Sequence, residues 1–232
     1  MKKLSILYII NKNMKTLRNK HIVKEYKAFT LAEVLITLVI IGVIAAMTVP
    51  AILQSTQKQE LVSGLRKAHS TLSNALYKMN ENNGYPQGDY TYLDDVRFMD
   101  EFIRVTNVAK KCSNIDDCWD YTNKYKRLNN SFADTPGGSA LNTADGMLWE
   151  FHKNAHVYGL SSEDEENMMG RVMVDVNGHR KPNKIGYDVF FFYLVSDKGI
   201  VPAGSANTSD CAKNNGGWSC AAKVLNEGKI DY

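Results

Sequence analysis

At 232 residues the chain is long enough for one globular domain and an anchoring segment, and too short for several large domains. Its formal charge of +3 conceals an asymmetry. Residues 1–28 carry eight Lys or Arg against Glu25, a local +7, which leaves the remainder at −4. A mildly acidic remainder argues against strong non-specific binding of nucleic acid. No internal repeat of 20–50 residues and no low-complexity tract is visible.

The chain opens on a basic segment. Leu4 to Ile10 is apolar but far too short to span a bilayer. Met14 offers an alternative start that would leave a compact basic leader from Met14 to Ala28. From Val34 to Gln57 no residue is charged, and Val34 to Val49 is almost pure Val, Ile, Leu, Ala and Gly. Continued through Pro50 to Leu53, the run reaches the roughly 20 apolar residues that a spanning helix needs. One carboxylate, Glu33, stands at its start, where a charge is costly and usually functional. The basic flank in front of it sets the amino terminus on the cytoplasmic side. Ala45-Ala46 imitates the cleavage site of an ordinary secretory signal, but the run is too long for a signal core and leads into a helical pattern.

The junction itself reads Lys27-Ala28-Phe29-Thr30-Leu31-Ala32-Glu33. It resembles the signal of type IV prepilins and type II secretion pseudopilins, with Ala28 where that family usually has Gly. The resemblance implies cleavage between Ala28 and Phe29 by a prepilin peptidase and methylation of the new amino terminus at Phe29. It also implies that Glu33 meets the terminal amine of a neighbouring subunit and sets axial register. A buried acid is tolerable in an apolar filament core only when paired. Gly42 and Pro50 fall where such pilins commonly carry a glycine and a helix-bending proline. The implied partners are other pilin subunits, the peptidase, an inner-membrane platform protein and an assembly ATPase. The implied location is a single pass of the inner membrane with a periplasmic head, then a filament.

Beyond Pro50 the apolar period becomes helical. Leu53, Leu61, Leu65, Ala68, Leu72, Leu76 and Met79 recur on one face. Asn82-Asn83-Gly84 is a stop signal. The pattern predicts one helix from Phe29 to about Asn82, roughly 80 Å long, with a kink or local melting at Pro50. A second helix is predicted over Asp94 to Ala109, with Val96, Met99, Phe102, Ile103 and Thr106 on its apolar face and Lys110-Lys111 at its end. Cys112 to Ala140 reads as irregular.

From Leu141 onward the signals are β. Asp145-Gly146 turns into Met147–His152, Arg171–Val176 is closed by Asn177-Gly178, and Asp188–Val195 is the most apolar strand. Asp197-Lys198-Gly199 then turns into Ile200-Val201-Pro202. Strands joined by turns without intervening helices predict an antiparallel sheet. The fold class is therefore α+β: a long N-terminal helix on an antiparallel sheet, the pilin-like architecture. The expected divisions are a leader at 1–28, a membrane or filament-core helix at 29–53, its extramembrane half at 54–83 and a head at 84–232.

All four cysteines, Cys112, Cys118, Cys211 and Cys220, lie beyond the span, on the oxidising side. Three pairings exist. Cys112–Cys118 and Cys211–Cys220 are favoured because each closes a short loop rich in Asn, Asp or Gly, and the second resembles the disulfide-bound region near the C-terminus of many type IV pilins. No C-x-x-C pair points to zinc.

Little in the chain reads as catalysis. His152 and His156 have a metal-like spacing only on a helix; in a strand they lie about 13 Å apart. Glu163-Asp164-Glu165-Glu166 reads as a solvated loop. Asp175, Asn177 and Asp188 offer hard oxygen donors at a turn, a candidate calcium site. The resemblance adds to that candidate, since major pseudopilins hold calcium in the head; the alternative is a hairpin stabilised by Asx turns. No other cofactor is expected, and no G-x-S-x-G, P-loop or dinucleotide fingerprint is present. The reading is a non-enzymatic filament subunit. Two alternatives remain open. One is a minor tip subunit binding DNA or a secreted substrate, marked by cations or aromatics around His179-Arg180-Lys181. The other is a membrane-anchored periplasmic enzyme, marked by a pocket joining His152, His156 and Asp145.

Overall fold

The computed structural model describes residues 29–119, 125–133, 137–153 and 156–232. The leader at 1–28, including Ala28, lies outside the described residues. The chain divides into two compact units, one ending at Pro50 and the other running Ala51–Tyr232.

Helix α1 is Leu31–Asn83. It continues through Pro50, so the local melting expected there is absent. A proline removes only one backbone donor, and the turns on either side retain theirs. Within the second unit its buried stripe runs Leu61, Leu65, Ala68, Leu72, Leu76 and Met79, the face read from the sequence. Leu53, assigned to that face, is instead 63% exposed. The helix stops as its sequence dictates. Gly84 takes φ 72, its N–H bonds Glu81 O at 3.3 Å, and Tyr85 N–H bonds Asn80 O at 3.0 Å. Those two bonds are the Schellman pattern, which satisfies carbonyls the helix end would leave open.

Helix α2 is Asp95–Val105, with Asp94 as its N-cap accepting from Arg97 N. It ends four residues before the predicted Ala109. The hydroxyl of Thr106 bonds Phe102 O at 2.5 Å, its N–H bonds the same carbonyl, and the chain leaves as a strand. The apolar face is also rotated: Val96 is 60% exposed, and Phe98 is buried with Met99 and Phe102.

Six strands follow: β1 Val108–Lys111, β2 Ser139–Thr143, β3 Leu148–His152, β4 Met168–Asp175, β5 Val189–Val195 and β6 Gly199–Pro202. They pair antiparallel in the order β1-β2-β3-β4-β5-β6. The lysines assigned to the end of α2 therefore belong to the edge strand β1. Helix α3, Ser162–Glu166, replaces the expected acidic loop; the Ser161 side chain caps it and Lys198 Nζ bonds Asp164 at 2.5 Å. Helix α4, Cys220–Glu227, was not read from the sequence.

Register sorts the sheet into two faces. Trp149 pairs with Val174 and Phe151 with Val172, which continue to Phe190 and Phe192. On this face the Phe98 ring stacks on Phe151 at 4.2 Å, Phe102 meets Trp149 at 5.3 Å, and His69 of α1 meets Phe192 at 5.6 Å. The opposite face carries Glu150, Arg171, Met173, Phe191 and Tyr193. There Trp218 lies 5.0 Å from Phe191, Tyr158 N–H bonds the Tyr193 hydroxyl at 2.7 Å, and α4 packs against β5. Cover on both faces accounts for the unbroken apolar run of β5, all seven residues of which are buried.

Candidate functional site

The start of α1 is built by a reciprocal cap. Thr30 N–H donates to Glu33 Oε2 at 2.9 Å, the Thr30 hydroxyl donates to the same oxygen at 2.8 Å, and Glu33 N–H donates to Thr30 Oγ1 at 3.2 Å. Val34 N–H then bonds Thr30 O at 3.2 Å, the first bond of the helix. This is the Thr-x-x-Glu capping box, which satisfies backbone donors left open at a helix start. A carboxylate there also suits the positive end of the helix dipole. Glu33 is thus held in place by its own chain, and Phe29 in front of it is 84% exposed.

The rest of this unit is an apolar surface left exposed among the described residues. Leu31, Ile36, Leu38, Val39, Ile41 and Met47 are each at least 60% exposed. An 18-residue window of α1 has mean hydropathy 2.6, and none of it is buried. The helix is long and apolar enough to cross a membrane. Its two hydroxyls in this stretch are turned inward: Thr37 bonds Val34 O at 3.0 Å and Thr48 bonds Ile44 O at 3.0 Å. A polar group bonded to its own backbone costs little in an apolar medium. A Cβ on Gly42 would meet nothing within 4 Å, so this chain alone gives no reason for the glycine.

Residues 24–49 match the family described as "Prokaryotic N-terminal methylation motif". The chain carries the prepilin-type signal. The match covers the junction and the apolar start of α1, and it supports a type IV pilin-like or pseudopilin subunit that assembles with other pilins and membrane machinery. No curated protein and no solved structure matches the chain.

In the head, both cysteine pairs form as expected. Cys112–Cys118 closes the loop after β1 around a 3-10 turn at Ile115–Asp117, and Cys211–Cys220 ties a Gly- and Asn-rich loop to the start of α4.

Asp175 and Asp188 come together at the end of the β4–β5 connection, both fully buried. Tyr125 OH donates to Asp175 at 3.0 Å and Asn177 N–H donates to it at 3.2 Å. Asp188 accepts the N–H groups of Asn183 at 2.7 Å and Lys184 at 2.5 Å, and the Asn177 side chain bonds it as well. Burial pushes Asp188 up to about 7. Burial and the neighbouring Asp188 charge hold Asp175 well above the usual carboxylate range. Neither carboxylate makes an ion pair among the described residues. Asn177 Oδ1 and Asn183 Oδ1 are buried without a hydrogen-bond partner.

The residues of the enzyme alternative do not converge. Asp145 sits before β3, paired with Lys67 at 2.7 Å, whereas His152 closes that strand and His156 lies beyond it. Among the described residues no group of three or more His, Cys, Asp or Glu is arranged to hold a metal ion. His179, Arg180 and Lys181 are exposed on the loop after β4.

Sequence reading missed one buried pair. Glu150 and Arg171 lie 3.6 Å apart on neighbouring strands, and the guanidinium also stands 5.2 Å over the Phe191 ring. Both Glu150 oxygens lack a hydrogen bond, and burial, opposed by Arg171, raises the acid to about 7. A charged residue inside Trp149-Glu150-Phe151 was the signal available in the sequence.

Proposed function

We propose that the chain is a structural subunit of a type IV pilus-like or type II secretion pseudopilus filament. A prepilin peptidase cuts it between Ala28 and Phe29, and Phe29 is methylated. A platform protein and an ATPase then extract it from the inner membrane, with its head on the periplasmic side. The observation that carries this reading is the match over residues 24–49, which ends in a helix whose apolar surface is exposed among the described residues. Exposed apolar area of that extent belongs in lipid or against copies of itself.

Assembly assigns a role to each of three residues. Glu33 takes the amine of a neighbouring Phe29 and so sets register; the capping box presents it before that partner arrives. Gly42 lets a neighbouring helix approach closely, a use consistent with the open space around it. Pro50 marks where the helix can bend under packing.

The test is the intact mass of membrane-purified protein from cells with and without the peptidase. The expected mass is that of Phe29–Tyr232 plus one methyl group, dependent on the peptidase. A mass that retains the leader, or that begins beyond the apolar run, overturns the proposal. Glu33→Ala inserts normally and loses methylation and incorporation; unchanged filament yield removes the register role.

The head reading includes calcium. Asp175, Asp188 and Asn177 fit it in chemistry: two buried carboxylates without an ion-pair partner and an orphaned amide oxygen. Calcium held there would neutralise both acids and fix the β4–β5 connection. Calcium should raise the unfolding midpoint of the head more than magnesium does, and Asp188→Asn should abolish the difference. Equal midpoints in calcium, magnesium and chelator count against the site.

A further inference from the structure

The apolar run at residues 34–53 of α1 is about 30 Å long at 1.5 Å per residue, the thickness of a bilayer's hydrocarbon core. Headgroups add roughly 5–7 Å on either side. Gln57 follows Leu53 by one turn, about 6 Å, and so stands at headgroup depth. There α1 makes a contact with a distant part of the head. Gln57 Nε2 donates to Lys181 O at 3.2 Å, in the loop after β4. The same carbonyl accepts Asn177 Nδ2 at 3.4 Å, and Arg180 Nε donates to Asn177 O at 3.2 Å. Gly64 permits the approach: a Cβ there would lie 3.1 Å from the Cβ of Val176, the residue after β4.

The backbone of this loop is thereby pinned, and its charged ends point to solvent. Arg180 and Lys181 are exposed and make no ion pair among the described residues. Lys58 follows Gln57 on the helix at the same depth. Glu60 is the acid of the cleft of about 120 Å³ that α1 shares with Arg180 and Lys181. Lys58, Arg180 and Lys181 against Glu60 leave a local excess of positive charge. Lys181 stands 124 positions from Gln57 in sequence. Its charge is therefore no part of the flank that orients a membrane span; folding brings it there.

Depth selects the occupant. Long cationic side chains a few Å beyond a hydrocarbon boundary reach the phosphates of the lipids around them. Only Nε of Arg180 is engaged among the described residues, which leaves its two terminal nitrogens to grip a phosphate as a fork. We propose that Arg180 and Lys181, with Lys58 beside them, bind the headgroup phosphates of anionic phospholipids where α1 leaves the bilayer. The head then rests on the membrane surface through the loop after β4. The proposal rests on α1 crossing a membrane and on nothing about the filament. Each Lys or Arg close to an anionic surface favours the contact about fivefold.

The test is hydrogen exchange of the full chain in lipid nanodiscs, one set of phosphatidylcholine alone and one of equal parts phosphatidylcholine and phosphatidylglycerol. Amides at residues 178–181 should exchange about fivefold or more slowly in the anionic discs, and high salt should remove the difference. Arg180→Glu with Lys181→Glu should abolish it. Lys78→Glu, at a lysine roughly 30 Å further along α1, should not. Equal exchange in the two discs, or a difference that survives the double charge reversal, overturns the proposal. So does equal protection by inorganic phosphate in zwitterionic discs, which would mark a site for the free ion. Exchange over residues 34–53 separates the proposal from the reading beneath it. Protection there in both discs, with no lipid effect on the loop, overturns the proposal alone; fast exchange there overturns the membrane crossing as well. Slow exchange of β5 in each variant shows that the head is folded.

Discussion

Helix α1 contains two stretches with opposite relations to the rest of the chain. Over residues 31–49 every residue but the half-buried Ala45 is exposed, and the helix contributes nothing to a core. From Leu61 to Met79 the same helix buries a single stripe in the cluster that holds β3, β4 and β5. The first stretch is more hydrophobic and less buried. Hydrophobicity alone therefore does not locate a core; periodicity does, because a stripe has one partner and an all-round apolar surface needs surroundings. Among the described residues the first stretch has no such surroundings.

Substitutions can break that contrast. Leu72→Ala, at a fully buried position, should cost about 2–5 kcal/mol of head stability, whereas Val39→Ala should leave denaturant unfolding of the head unchanged. Comparable losses at the two sites would erase the distinction. Removing the Cys211–Cys220 link by a double Cys→Ala change should cost about 2–3 kcal/mol, from the entropy regained by a short loop; it should not alter membrane insertion. Glu150 sharpens the contrast in another way, because only the head has an interior dry enough to hold an acid at about 7. The folded head keeps a proton that the unfolded chain releases near 4.5, so its stability falls as pH rises from about 4.5 to about 7. Glu150→Gln should reduce that slope in thermal unfolding across this range and leave the part contributed by Asp175 and Asp188, whose carboxyls burial also raises. At the small end, Lys67→Ala breaks a half-exposed pair and should shift stability by less than about 1 kcal/mol.

How far the sequence could be read depended on whether a signal was local. The start of α1, its buried stripe and its Gly84 stop rest on near neighbours, and all were legible. So were four strands and the two short disulfide loops. The end of α2 was not. Lys110 and Lys111 suit a helix terminus as well as an edge strand, and only pairing with Leu141 and Asn142 decides between them. Val96 and Phe98 exchanged roles because the burying face of α2 is set by Phe151 across the sheet. Helix α4 was hidden behind Gly216-Gly217, its length of eight residues too short to display a period. Of the site residues, the junction was legible from one heptapeptide. The Glu150–Arg171 pair and the meeting of Gln57 with the Lys181 loop join segments far apart in sequence, and no local pattern encodes them.

The sheet ends on two margins, and both are poor templates for another strand. The margins β1 and β6 are four residues long. One carries Lys110 and Lys111 with a register break beside them; the other ends on Pro202, which has no N–H to donate. Short, charged or proline-bearing margins resist the lateral zippering that crowded sheets otherwise undergo. In the filament proposed above, neighbouring heads would touch without pairing strands, leaving the helices to set the direction of growth.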